Sequence, residues 1–395
     1  MGSDEWNAAG IDSRTGAGLD SRAGAVIVIG AGPGGLATAA ELKRFGVPTK
    51  VIDKADAVGS AWRRHYERLH LHTVRWTSHL PGYKIPRRFG EWVAREDVVQ
   101  YLEDYTRHHR LNVRTGVQVD RIERVDGHWV ARSPQGDLEA RRVVVATGYN
   151  HTPDVPAWPG AEGFSGELIH ASRYRNAAPY RGKDVLVVGT DNTGAEIAVD
   201  LVEGGAARVR LAVRTVPAFV RRKVGLLPNS ALSIVLRPLP PKLVDRIADV
   251  ASRLSTPDLS VQGLPRPEPG VYTRLLTDGA VPIIDVGLID ALQAGQVEVV
   301  GAVVGFDGDK VLLTGDETIA PDAVIAATGY KQGLERLVGH LDLLDHRGRP
   351  RVHGGHTHPH APGMYFTGFT NPISGMFREL RIDARRIAKA VAASG

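Results

Sequence analysis

AVIVIGAGPGGLATAAELKRFGVPTKVID, residues 25–53, decides the fold. The β-branched run from Ala25 to Ile29 reads as a buried strand, and Leu36, Ala39, Ala40 and Leu42 set out the packing face of a helix. Gly46 stands where that helix ends, and a second strand closes at Asp53. Between strand and helix, Gly30 permits a tight turn, Gly32 lets the backbone approach a pyrophosphate, and Gly35 lets helix and strand come close. The amides at the helix start face the phosphates. Asp53 lies near the spacing of about 20 residues at which a carboxylate accepts hydrogen bonds from a ribose. A lone GxGxxG says little, but strand, loop, helix, strand and terminal acid in this order point to dinucleotide binding.

The same grammar returns from Lys183 to Pro217. Gly189 and Gly194 match the first and third glycines, Asn192 and Thr193 lie between them, and Gly204 and Gly205 end the helix. The next strand leads to Arg214 and Thr215 rather than to an acid, and a guanidinium there can hold a 2′-phosphate bidentately. Asp191 occupies the position of the middle glycine. Two readings stay open: a carboxylate beside the phosphates, opposing them, or one that turns to solvent or caps the helix.

Two such units imply one bound FAD and one exchanging NADPH. Apolar strands ending in Thr147-Gly148-Tyr149 and Thr328-Gly329-Tyr330 suit crossings between nucleotide domains. The expected fold is therefore α/β, with two Rossmann-like dinucleotide-binding domains and the FAD domain discontinuous around an inserted NADPH domain. The boundaries read as a mobile tail at 1–23, an FAD-binding domain at 24–155 and 331–395, and an NADPH-binding domain at 156–330. Near the end, a strand, a turn containing Gly368 and Gly375 and a final helix are placed to meet the flavin.

Composition narrows the chemistry. The 395 residues, 43% hydrophobic and 24% charged, suffice for two cores. The net charge of +5 is spread along the chain, which argues against nucleic acid as partner. The first 24 residues lack the apolar stretch of a signal peptide, and Val224–Val244 is interrupted by Pro228, Arg237, Pro238, Pro240, Pro241 and Lys242, so no membrane span is expected and a cytoplasmic location is the default. With no cysteine, the chain carries neither a disulfide, a thiolate zinc site nor a redox-active CxxC pair, which leaves molecular oxygen as the leading electron acceptor. The tract His353–His360 suggests a metal only by composition, and it reads instead as a loop near the flavin, with no metal expected. No GxSxG, HExxH or P-loop occurs.

FSGELIHASRY, with Phe164, Gly166, His170 and Tyr174 in register, resembles the linker signature FxGxxxHxxxY of the class B flavoprotein monooxygenases. Tyr174-Arg175 replaces the Trp-Pro of Baeyer–Villiger members, so the likeness leans to the flavin-containing monooxygenase branch, and within it to the plant YUCCA type of indole-3-pyruvate monooxygenase. The likeness includes the stretches from Gly59 to Gly82 and from Gly270 to Val300, and MYFTGFT. It implies a C4a-(hydro)peroxyflavin that oxygenates a small organic substrate, by oxidative decarboxylation of a 2-oxo acid or by N- or S-oxygenation. It also implies cofactor contacts from Trp62, a polar residue at the flavin's reactive face at His72, and a linker histidine at His170 that serves interdomain hydrogen bonding more than general base catalysis. The family has glycine at the position of Asp191, which leaves an NADPH oxidase with an impaired nucleotide site as an alternative. A flavin-bound ligand-binding protein that does not oxygenate is another.

Overall fold

Each strand that feeds a glycine loop carries an unbroken run of four buried apolar residues, which suits a parallel sheet covered on both faces. In the computed structural model these strands are Val26–Ile29 and Asp184–Val188. Val26 and Val28 enter one core while Ile27 and Ile29 enter another, and Val185 and Val187 part from Leu186 and Val188 in the same way. The structure describes residues 26–372 and 374–394, except 225–226, 229–239, 241–242, 247–249, 251–252, 254–255, 269, 271–272, 275–276 and 278–280. The tail at 1–23, and much of the interrupted apolar stretch between Val224 and Val244, lie outside the described residues.

The first sheet runs Met364–Phe366, Arg142–Val145, Val26–Ile29, Thr49–Ile52, Val113–Arg114, with every pair parallel. The second runs Val297–Val300, Arg208–Ala212, Asp184–Val188, Ala323–Ala326, Glu167–His170, again all parallel. In both, the strand before the glycine loop is central and its neighbours leave in opposite directions. Each loop therefore sits where strand order reverses, at the carboxyl ends of the strands, where open α/β sheets bind ligands.

The second sheet is built wholly from residues lying between the Arg142–Val145 and Met364–Phe366 strands of the first. Outgoing and returning chains run side by side, Thr152–Pro153 pairing antiparallel with Tyr330–Lys331. Helices Pro33–Arg44 and Met376–Ala393 share one core through Leu36, Ala40, Phe377, Ala384 and Ile387. Helix Asn192–Glu203 covers the second sheet beside helix Leu288–Gln293.

The loop glycines are fixed by sterics. Gly30 and Gly189 have φ of +111° and +112°, and a Cβ on either would lie 2.3 or 2.4 Å from the carbonyl oxygen of Ala146 or Ala327. A Cβ on Gly35 or Gly194 would lie 1.9 or 2.0 Å from the carbonyl oxygen of Gly30 or Gly189, so only glycine lets these helices seat on their strands. Among the described residues, no helix is long and apolar enough to cross a membrane.

Candidate active site

Both glycine loops open onto one continuous cleft of about 1780 Å³. Gly30, Gly32, Asp53, Trp62, Thr147, Gly148, Gly368 and Gly375 line it from the first unit. Gly189, Asn192, Thr193, Arg214, Thr215, Thr328 and Gly329 line it from the second, and His72 and His170 also face it. Gly35 and Gly194 do not reach it; they lie beneath their helices.

A flavin dinucleotide fits the first unit on three counts. A Cβ built on Gly32 meets nothing within 4 Å, so the loop leaves an open cradle at the start of helix Pro33–Arg44. The hydroxyls of Thr147 and Thr367, both lining the cleft, are buried without a hydrogen-bond partner, a state that costs free energy until a ligand supplies one. Asp53 is held rigidly, its two oxygens accepting from the Ala31 and Ala55 amides at 2.6 and 2.8 Å, with the carboxylate facing the cleft.

The second unit differs. Asp191 stands at the N-cap position of helix Asn192–Glu203 but makes no cap hydrogen bond, so the helix-capping reading is overturned. Its carboxyl opens into the cleft, where the surrounding protein raises its pKa by desolvation alone, with no cation contributing. Asn192 lines the cleft, but its side-chain amide is spent on backbone, accepting from Ile284 N at 2.7 Å and donating to the Pro282 carbonyl at 3.3 Å. Thr328, the counterpart of Thr147, donates its hydroxyl to the Asp154 carbonyl and ties the returning chain to the outgoing one. Arg214 and Thr215 are exposed on the cleft wall.

A polar cluster joins the two units. Glu196, 2% exposed on the nucleotide-loop helix, places Oε1 2.6 Å from His72 Nε2, and its Oε2 accepts from the Tyr66 hydroxyl at 3.1 Å. The carboxylate fixes the His72 proton on Nε2 and leaves Nδ1 as the other ring nitrogen of a cleft-lining side chain. Burial, and then the Glu196 charge, push the Tyr66 hydroxyl far above its ordinary range, so it stays a neutral donor. Beside it, burial followed by the nearby Arg175 and Arg95 guanidinium groups lowers the His65 pKa to about 4, so this ring is neutral at pH 7.

His170 has no ring nitrogen left for catalysis. Its Nδ1 accepts from Ser172 N at 3.0 Å, so Nε2 carries the proton and donates to the Gly329 carbonyl at 3.0 Å. Both partners belong to the second unit, on adjoining strands of its sheet, so these bonds tie that unit together rather than joining the two units as expected, and they leave no ring nitrogen for a general-base role. The rest of the signature is packing: Phe164 stacks edge-on to Phe306 at 5.1 Å, a Cβ on Gly166 would lie 2.9 Å from the Asp322 carbonyl oxygen, and Tyr174 donates to Asp200 Oδ2 at 2.6 Å.

Sequence reading missed Glu196, Tyr66 and Thr367. Glu196 and Asp200, four residues apart on one largely buried helix face, form a like-charged pair that needs partners, and that signal was present. The histidine tract His353–His360 corrects another expectation: it is a loop, but Gly354 and Gly355 lie against Asp383 and Arg386 of the last helix, and none of its residues lines the cleft. Among the described residues no group of metal-binding side chains occurs.

The pyridine nucleotide-disulphide oxidoreductase family model matches residues 27–229. The chain is 36% identical over 349 residues to the indole-3-pyruvate monooxygenase YUCCA1 of Oryza sativa subsp. japonica, covering 87% of this chain and 86% of that one. It is 33% identical to the probable indole-3-pyruvate monooxygenase YUCCA8 of Arabidopsis thaliana, covering 92% and 87%. Among solved structures, a flavin-containing monooxygenase from Stenotrophomonas maltophilia superposes with a TM-score of 0.73 at 24% identity, covering 95% of this chain and 99% of that one. Bacillithiol disulfide reductase from Bacillus cereus shares the fold, with a TM-score of 0.69 at 18% identity over 94% and 99%.

Proposed function

The chain belongs to the class B flavoprotein monooxygenases, and from that premise we propose that the molecule it oxygenates is a small 2-oxo acid, with indole-3-pyruvate the first candidate. It is an FAD- and NADPH-dependent monooxygenase. The substrate reading is supported by the names of relatives that match most of the chain. The observation that carries it is the single cleft, in which both glycine loops and His72 face one space.

FAD and NADPH supply hydride transfer and the activation of O₂ when bound. Gly30, Gly32, Asp53, Trp62, Thr147, Gly148, Gly368 and Gly375 hold FAD, and Gly35 seats the helix whose amides meet the pyrophosphate. The Gly189–Gly194 loop, including the Asn192 and Thr193 backbone, holds NADPH together with Arg214, Thr215, Thr328 and Gly329. Glu196 keeps His72 in one tautomer, so that Nδ1 presents a lone pair to the reacting space. Trp62, Tyr66 and Phe377 wall that space with apolar surface, which excludes water. The net reaction takes a 2-oxo acid, O₂, NADPH and a proton to the shortened carboxylate, CO₂, NADP⁺ and water. We place this activity in the cytoplasm.

A second reading rests on Asp191: if its charge keeps NADP⁺ from staying bound, reducing equivalents leave as hydrogen peroxide. Incubation with NADPH, indole-3-pyruvate and ¹⁸O₂ separates the two. The monooxygenase reading expects one labelled oxygen atom in indole-3-acetate per NADPH consumed. With catalase present, so that free peroxide does not itself decarboxylate the 2-oxo acid, NADPH consumption without indole-3-acetate would establish the oxidase.

A further inference from the structure

Arg222 follows the strand Phe219–Arg221, which pairs in parallel with Ile283–Asp285, and its side chain lines the cleft. Its guanidinium carbon lies 4.9 Å from the centre of the Trp92 ring, so a protein wall takes one face of the group. The adjacent Lys223 ammonium pairs with Glu91 at 2.6 Å, and these two contacts pin residues 222–223 of the inserted unit to residues 91–92 of the first.

One donor on the edge of the guanidinium is unspent. Nε is buried without a hydrogen-bond partner. A buried, unsatisfied Nε is costly unless a ligand oxygen completes it, and a planar guanidinium takes paired oxygens through Nε and a terminal nitrogen together. Glu196, Asp285 and Tyr66 act on it electrostatically, and Glu196 and Tyr66 belong to the cluster that holds His72. Glu196 does not reach Nε: its oxygens accept from His72 and Tyr66, and Nε has no partner. Arg274, another cleft-lining guanidinium, donates to the Val216 carbonyl.

We infer that Arg222 receives the substrate's carboxylate, its fork binding both oxygens while Trp92 backs its face. This deepens the 2-oxo acid reading above and rests on it. The pairing requires an anionic substrate and puts the neighbouring 2-oxo carbon on the side of the cleft that His72 faces.

The test uses the FAD-loaded enzyme with two unreactive probes, indole-3-propionate and its neutral amide, titrated by perturbation of the flavin absorbance. Arg222→Met should weaken indole-3-propionate binding at least tenfold and change amide and NADP⁺ binding less than twofold, while Arg222→Lys restores part of the loss. Equal losses for acid and amide, or a loss in NADP⁺ affinity instead, would overturn the assignment. Wild-type turnover of indole-3-pyruvate with an unchanged KM in Arg222→Met would refute the anchor alone. Oxygenation of a neutral sulfide or amine, with no turnover of any 2-oxo acid, would remove the substrate reading and the anchor with it.

Discussion

Removing the charge of Asp191 should tighten NADP⁺ binding. The carboxyl occupies the N-cap position of a loop built to receive a pyrophosphate, opens into the cleft and lacks a cap hydrogen bond to draw it away. Two unit charges about 4 Å apart at an effective dielectric near 20 repel by about 4 kcal/mol. Salt and cleft water reduce this to about 1.4–2.8 kcal/mol, or roughly 10- to 100-fold in Kd. Asp191→Asn keeps the Cβ and removes the charge, so it should capture most of the gain of Asp191→Gly. Its folding cost is small, since the lost attraction to the helix start is about 0.3–1 kcal/mol. The assay is equilibrium titration with NADP⁺, together with the rate of anaerobic flavin reduction by NADPH. A pH signature accompanies it. Because burial raises the Asp191 pKa, wild-type affinity should rise relative to Asp191→Asn as pH falls through that value. Affinities of both variants within twofold of wild type, with no pH difference between them, would refute the argument.

Glu196→Gln should leave one partner of the buried cluster mismatched, because an amide cannot accept from both Tyr66 and His72; a loss of about 1–3 kcal/mol in urea unfolding is expected. The same variant should lower the product formed per NADPH with FAD content unchanged, and wild-type coupling would count against a positioning role for Glu196. His65 binds its proton less readily folded than unfolded. Its contribution to stability is therefore full above about pH 6.5 and declines by up to about 3 kcal/mol as pH falls to about 4. His65→Gln should flatten that acid limb, and an unchanged slope of stability against pH would count against the assignment. Gly32→Ala should fold normally and lose FAD, its Cβ facing open cleft, whereas Gly35→Ala should fail to fold stably, its Cβ meeting the Gly30 carbonyl at 1.9 Å; flavin content and far-ultraviolet circular dichroism check the pair.

The two glycine loops, their strands and helices, and the interruption of one sheet by the other were legible in the sequence because each nucleotide unit is written in a short contiguous stretch. There the steric demands of a tight turn and a close helix leave glycine as the one residue that fits. Thr147 and Gly148 were legible for the same reason, as the end of an apolar strand. The tertiary structure alone decided the working ends of the cleft. Glu196 and His72 lie 124 positions apart, and Glu196 and Tyr66 lie 130 apart, so no local pattern announces their contact. The fate of matching residues was likewise settled by their surroundings: the Thr147 hydroxyl is left without a partner in the cleft, while Thr328 is consumed by the Asp154 carbonyl. Asp191 follows the same logic. Its place in the loop is local, but whether its charge is capped, paired or bare depends on what folds around it, and only burial and hydrogen-bond geometry carry that information.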